Sequence, residues 1–112
     1  MPLERLDQPE ICKGEVGIMV VGQCLIDIRL YGARSLKDKR RVTKSLISRL
    51  QQKFGVSCAE VGANDSWGRL LLGMAVVTNS QSHALQILNN AVLWVEDNID
   101  GEIVDFQIDI IT

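Results

Sequence analysis

The chain has 112 residues, 46% hydrophobic and 23% charged, with a formal net charge of −2. That is the size and composition of one globular domain able to bury its own core, and it excludes a disordered or fibrous chain. No run reaches the ~18–20 apolar residues of a membrane helix, and Cys12, Cys24 and Cys58 include no C-x-x-C pair, which suits reduced, buried thiols of an intracellular protein.

Residues 1–16 carry both prolines, Pro2 and Pro9, and the acids Glu4, Asp7 and Glu10, with no apolar h-region and no clear periodicity. They read as a loose N-terminal extension and not as a signal peptide, leaving 17–112 as a single domain. Residues 18–31 alternate with period two. Ile18, Val20, Cys24, Ile26, Ile28 and Leu30 fall on one face, with Gln23, Asp27, Arg29 and Tyr31 on the other, which predicts a strand with one buried face. After Gly32, Ser35 opens a helix with Asp38 three residues on, a form of the capping box. At 100° per residue Leu36, Thr43, Leu46, Ile47, Leu50 and Phe54 share one side. Gly55 supplies the left-handed residue that ends helices.

Val56–Ala63 predicts a second strand, and the turn-rich Gly62-Ala-Asn-Asp-Ser-Trp-Gly68 leads to a third, Leu70–Val77. The third is apolar on both faces, as a central strand is expected to be. Asn79 or Ser80 to Ser82 can cap a second helix running to about Asn98, with Ala84, Ile87, Leu88, Ala91 and Val95 inward. Asp100-Gly101 breaks the chain, and Ile103–Ile111 predicts a last strand with Val104, Phe106, Ile108 and Ile110 inward and Asp105, Gln107 and Asp109 outward. The order β-α-β-β-α-β implies an α+β, ferredoxin-like sandwich, a four-stranded antiparallel sheet with two helices on one face.

Charge is distributed unevenly over this frame. Eight of the twelve basic residues lie between 34 and 53, with Asp38 the one acid among them, and after Arg69 no Lys or Arg occurs. Arg40, Lys44, Lys37 and Arg41 form one flank of the first helix over about 100°, while Lys39, Arg49 and Lys53 lie on the other flank of its apolar stripe. Lys37, Lys39 and Arg40 stand in or near the first turn, where the dipole disfavours cations by about 0.3–1 kcal/mol each. With Arg34 and the free N–H groups of the helix start they describe an anion site suited to phosphate. Trp67, on the loop after strand two, can stack on an unpaired base or fold back over the sheet edge. The open sheet face lacks the stacking aromatics of an RRM, and no G-x-x-G loop occurs, so RNA is expected on the helical side. Met19, Val21 and Leu25 add an apolar component to that open face, which suits a protein contact and a homodimer through the sheet.

The sequence offers little to an enzyme. Arg34 and Asn64 occupy places comparable to the Arg and Asn of acylphosphatase, but the phosphate-cradling loop of that family is missing, which leaves a phosphohydrolase a remote alternative. His83 is the one histidine and has no partner for a metal pair. No P-loop or dinucleotide fingerprint occurs, and no cofactor or metal is expected.

Gly32-Ala-Arg-Ser-Leu-Lys-Asp-Lys-Arg-Arg-Val42, Phe54-Gly-Val-Ser-Cys-Ala-Glu-Val61, Asp65-Ser-Trp67, Arg69 and Leu72-Gly-Met-Ala-Val-Val-Thr-Asn79 together resemble the bacterial YlxP-like proteins, a domain of unknown function, over about residues 17–111. Gly62 stands where that family commonly has Asp, and the N-terminal extension is longer than its usual start. The resemblance implies a ferredoxin-like fold, a cytoplasmic bacterial protein and, from neighbouring translation genes, a ribosome-linked role; it carries no catalytic residues. The expectation is a non-enzymatic accessory protein that binds RNA or a ribosomal particle through Arg34, Lys37, Lys39, Arg40, Arg41, Lys44 and Trp67. A dimeric protein-interaction or small-anion-binding module is the alternative.

Overall fold

Alternating burial along the first strand sets the architecture. The computed structural model describes residues 17–112, so the extension and Cys12 lie outside the described residues. The elements are β1 (Val20–Leu30), α1 (Leu36–Phe54), β2 (Ser57–Gly62), β3 (Arg69–Thr78), α2 (Gln81–Asn98) and β4 (Gly101–Ile111). They form one four-stranded sheet in the order β2-β3-β1-β4, antiparallel at every pairing. Cys24, Ile26 and Ile28 of β1 and Leu70, Leu72 and Met74 of β3 are buried under Leu46 and Leu50 of α1 and Leu88 and Val95 of α2. The alternate residues of both strands face away from the helices, so β3 is apolar on both faces but buried on one. Ile18 precedes β1 and is exposed, outside the strand face expected for it.

The helix boundaries follow local chemistry. Ser35 Oγ accepts the Asp38 N–H at 3.1 Å, which satisfies a donor that a helix start leaves free, and Asp38 Oδ2 accepts the Arg34 N–H just before the cap at 3.3 Å. Gly55 ends α1 in the left-handed region (φ 67°), its N–H donating to the Gln51 carbonyl. Ser80 caps α2 by accepting the His83 N–H.

β4 departs from simple alternation. Asp27 pairs with Asp105, but the next residue, Ile28, pairs with Ile103, so the register shifts at a bulge. The extra residue is Val104, which is exposed; Ile103 takes the inward place expected for Val104. Phe106 shares the helix-side row of Ile26 but remains half exposed on this outer strand. Gly101, paired with Leu30, has no room for a side chain, since a Cβ there would lie 2.1 Å from the Arg29 carbonyl oxygen.

Candidate nucleic-acid interface

The site is built where the β1–α1 connection meets the β2–β3 hairpin. On α1, Lys37, Arg40, Arg41 and Lys44 are exposed, as is Arg34 before the helix. Arg41 lies 3.7 Å from Asp38. Lys37, Arg40 and Lys44 have no ion-pair partner among the described residues. Further along, Arg49 lies 4.7 Å over the Trp94 ring and donates to the Asn98 amide oxygen, and Lys53 lies over Phe54. Those two cations are committed to the body of the domain.

Lys39 corrects the expectation drawn from charge alone. Its side chain is 1% exposed, and Nζ lies 2.7 Å from Glu60 Oε2 of β2 while donating to the Ala63 carbonyl at 2.5 Å. The Glu60 oxygen has no hydrogen-bond partner among the described residues, so charge holds that contact. Residues 39, 43, 46 and 50 form one buried stripe, and the long lysine stem is part of the packing. Lys39 is therefore not on the basic surface. At the backbone start of α1 the Ser35 hydroxyl takes the Asp38 N–H and the Asp38 carboxylate takes the Arg34 N–H, which sets an acid beside the exposed cations there.

What Lys39 does is position the loop that carries Trp67. Ala63 adopts φ 57°, and its carbonyl accepts both the Lys39 ammonium and the Ser66 N–H. At the other end of the loop the Gly68 carbonyl accepts the Leu30 N–H at 3.0 Å. Trp67 and Tyr31 flank that hydrogen bond, and both rings are exposed, Trp67 by 48%. The Tyr31 hydroxyl donates to Glu102 at 2.6 Å, which holds its proton and raises its pKa. Arg69 grips Asp27 with two hydrogen bonds of 3.1 and 3.0 Å, which push that carboxyl below its usual range. One end of the molecule thus presents the basic helix flank, two aromatic rings and Arg34. Glu60 and the strut it makes with Lys39 were not legible in the sequence. The available signal was the spacing of Lys39 to Thr43, Leu46 and Leu50, which places a lysine inside an apolar stripe.

Cys24 and Cys58 are buried on β1 and β2, both opposite Met74. Desolvation pushes both thiols up to about 11, so neither is an activated nucleophile. Among the described residues no group of three or more His, Cys, Asp or Glu is placed to hold a metal. His83 is exposed at the start of α2, and no described helix is long and apolar enough to cross a membrane.

Residues 21–108 match the family model described as "Protein of unknown function (DUF503)". The chain belongs to this family. A relative, "Uncharacterized protein YlxP" of Bacillus subtilis (strain 168), is 34% identical over 77 residues, which cover 69% of this chain and 84% of that protein. Among solved structures, the "De novo designed protein Ferredog-Diesel" aligns over 84% of this chain and 86% of its own with a TM-score of 0.43 and 11% identity. The family match spans β1 through most of β4, so both the basic flank and the Trp67 loop lie within the family's domain.

Proposed function

We propose that this DUF503 protein is a non-enzymatic accessory factor of the bacterial cytoplasm that binds RNA, in its natural setting a ribosomal particle, through Arg34, Lys37, Arg40, Arg41 and Lys44. The observation that carries the reading is a division of labour on α1. The one inward lysine fixes the Trp67 loop beside the helix start, while Lys37, Arg40 and Lys44 remain unpaired among the described residues. Unpaired cations beside exposed aromatic rings match the two needs of a single-stranded RNA, charge for the backbone and a flat surface for a base. The sheet side is a poorer host, because Asp27, Glu102, Asp105 and Asp109 outnumber Arg29 and Arg69 there.

Filter binding to single-stranded RNA tests the proposal. Three to four neutralised phosphates give a slope of log affinity on log salt of about −2 to −3. Reversing Lys37, Arg40, Arg41 and Lys44 to Glu abolishes binding and co-sedimentation with ribosomal subunits, and Trp67→Ala weakens binding by roughly 5- to 100-fold at an unchanged salt slope. A charge-reversed protein that binds and sediments like wild type overturns the reading.

A further inference from the structure

The face of the sheet turned away from the helices has a pattern that appears only when the strands are laid in register. Across one row the residues are Ala59, Gly73, Leu25 and Gln107, on β2, β3, β1 and β4 in turn. Two residues along, the row is Ser57, Ala75, Gln23 and Asp109. In both rows the β2 and β3 positions are small and the β1 and β4 positions are large. Over these two rows the β2–β3 side is a trough and the β1–β4 side a ridge, and the next β3 residues on this face, Leu71 and Val77, bound the trough along the strand. The trough encloses about 530 Å³ over a floor that includes Ala59, Gly73 and Ala75, with Leu25 and Val61 among its walls. Leu25, Val61, Val77 and Ile111 are exposed on this face, an apolar surface with no covering element among the described residues.

We propose that a second copy of this chain covers this face, related by a two-fold axis parallel to the strands and lying over the line between β3 and β1. That rotation keeps each row in place and reverses its order, so β1 of the second copy lies on β3 of the first and β4 lies on β2. Leu25 of each copy enters the other's trough against Val61, whose Cγ1 already lies over Gly73, and Gln107 covers Ala59. In the next row Gln23 covers Ala75 and Asp109 meets the Ser57 hydroxyl. A self-associating face must be its own complement, and these two rows meet that condition.

Charge selects the same axis. The acids Asp105 and Asp109 stand on β4, while Ser57, Ala59 and Val61 give β2 no charge on this face. The strand-parallel axis sets the acidic strand on the uncharged one. A two-fold axis across the strands would set β4 on its own copy, acid against acid and ridge against ridge. At the far end Arg29 of each copy comes over Arg69 of the other, but each is paired within its own chain, to Glu102 and Asp27. Size also fits: three strands of 10 or 11 residues and one of 6 give a face roughly 19 Å wide and up to about 30 Å long, which approaches the ~800 Å² per partner of a standard interface once side-chain relief is included. Aligned face-to-face sheets of this kind pack readily. Both basic helices remain on the outside of the resulting four-layer dimer.

Sedimentation equilibrium and site-directed crosslinking test the arrangement. Wild type sediments at twice the 12.4 kDa chain mass, insensitively to salt. Leu25→Glu, which buries an unpaired charge, raises the dissociation constant at least about 100-fold, while Lys44→Glu on the helix side leaves it unchanged. In a Cys12→Ser background, Ala59→Cys with Gln107→Cys is joined between chains by a short bis-maleimide. Within one chain these sites are three strand spacings apart, roughly 14 Å. Either single cysteine crosslinks far less, because each faces the other site and not itself. Circular dichroism confirms that each variant is folded. A folded wild type that stays at the monomer mass at millimolar concentration overturns the proposal. So does a dimer that tolerates Leu25→Glu, or one that crosslinks equally through either single cysteine. RNA binding by the basic flank is read separately and survives any of those three results.

Discussion

Replacing Lys39 by Met is the sharpest probe of how this domain is held together. The methionine keeps the buried stem but removes the ammonium that lies 2.7 Å from Glu60 and donates to the Ala63 carbonyl. Removing one member of a buried ion pair typically costs about 3–5 kcal/mol, because the abandoned charge has lost its water. Glu60 retains 19% exposure, so water recovers part of that, and the expected loss is about 2–3 kcal/mol. At about 4–8 °C per kcal/mol for a domain of this size, the melting temperature falls by roughly 10–20 °C. Pairing the change with Glu60→Leu removes the stranded carboxylate and returns stability to within about 1 kcal/mol of wild type. Urea unfolding of the wild type, both single variants and the double variant measures the coupling. RNA titrations on the same proteins give Lys39→Met an unchanged salt slope, since its charge faces inward, whereas Lys44→Glu makes the slope shallower. A Lys39→Met protein within about 0.5 kcal/mol of wild type by urea unfolding, with a shallower salt slope, would refute the placement of Lys39 and return it to the solvent-facing surface.

Gly101→Ala should cost more than about 3 kcal/mol or prevent folding, because its Cβ would meet the Arg29 carbonyl at 2.1 Å and force β4 away from β1; thermal melts of purified protein decide it. The thiols give an alkaline limb. Cys24 and Cys58 titrate near 11 in the folded chain against an ordinary 9.0, so folding favours their protonated form. That contribution is whole below pH 9 and is lost as pH rises from 9 to 11. Guanidinium midpoints of wild type should therefore fall more steeply over that window than those of Cys24→Ala/Cys58→Ala, and parallel declines would exclude the thiols as the cause.

Much of the fold was legible because its causes are local. Ser35, Asp38 and Gly55 announce the ends of α1 through side-chain acceptors and a left-handed φ, chemistry that acts over four residues. Period-two alternation in β1 exposes its buried face directly. The bulge at Val104 was not legible, since the alternating run from Ile103 onward fits a regular strand, and only the pairing with Asp27 and Ile28 reveals the shift. The basic flank was legible in outline, as a charge cluster on one side of a helix. Its membership was not, because a lysine's destination depends on whether an acid waits across the gap.

The sequence by itself determined the order of elements, the capped basic helix and the residues available to meet a phosphate, all properties of neighbours along the chain. Tertiary structure alone decided that Lys39 turns inward to Glu60, that the Trp67 loop lies beside the helix start, and that small residues of β2 and β3 stand beside large ones of β1 and β4. The physical reason is common to all three. Each depends on residues far apart in sequence that sheet register and helix packing bring within a few ångströms, where burial fixes which charges must pair and which side chains leave a gap.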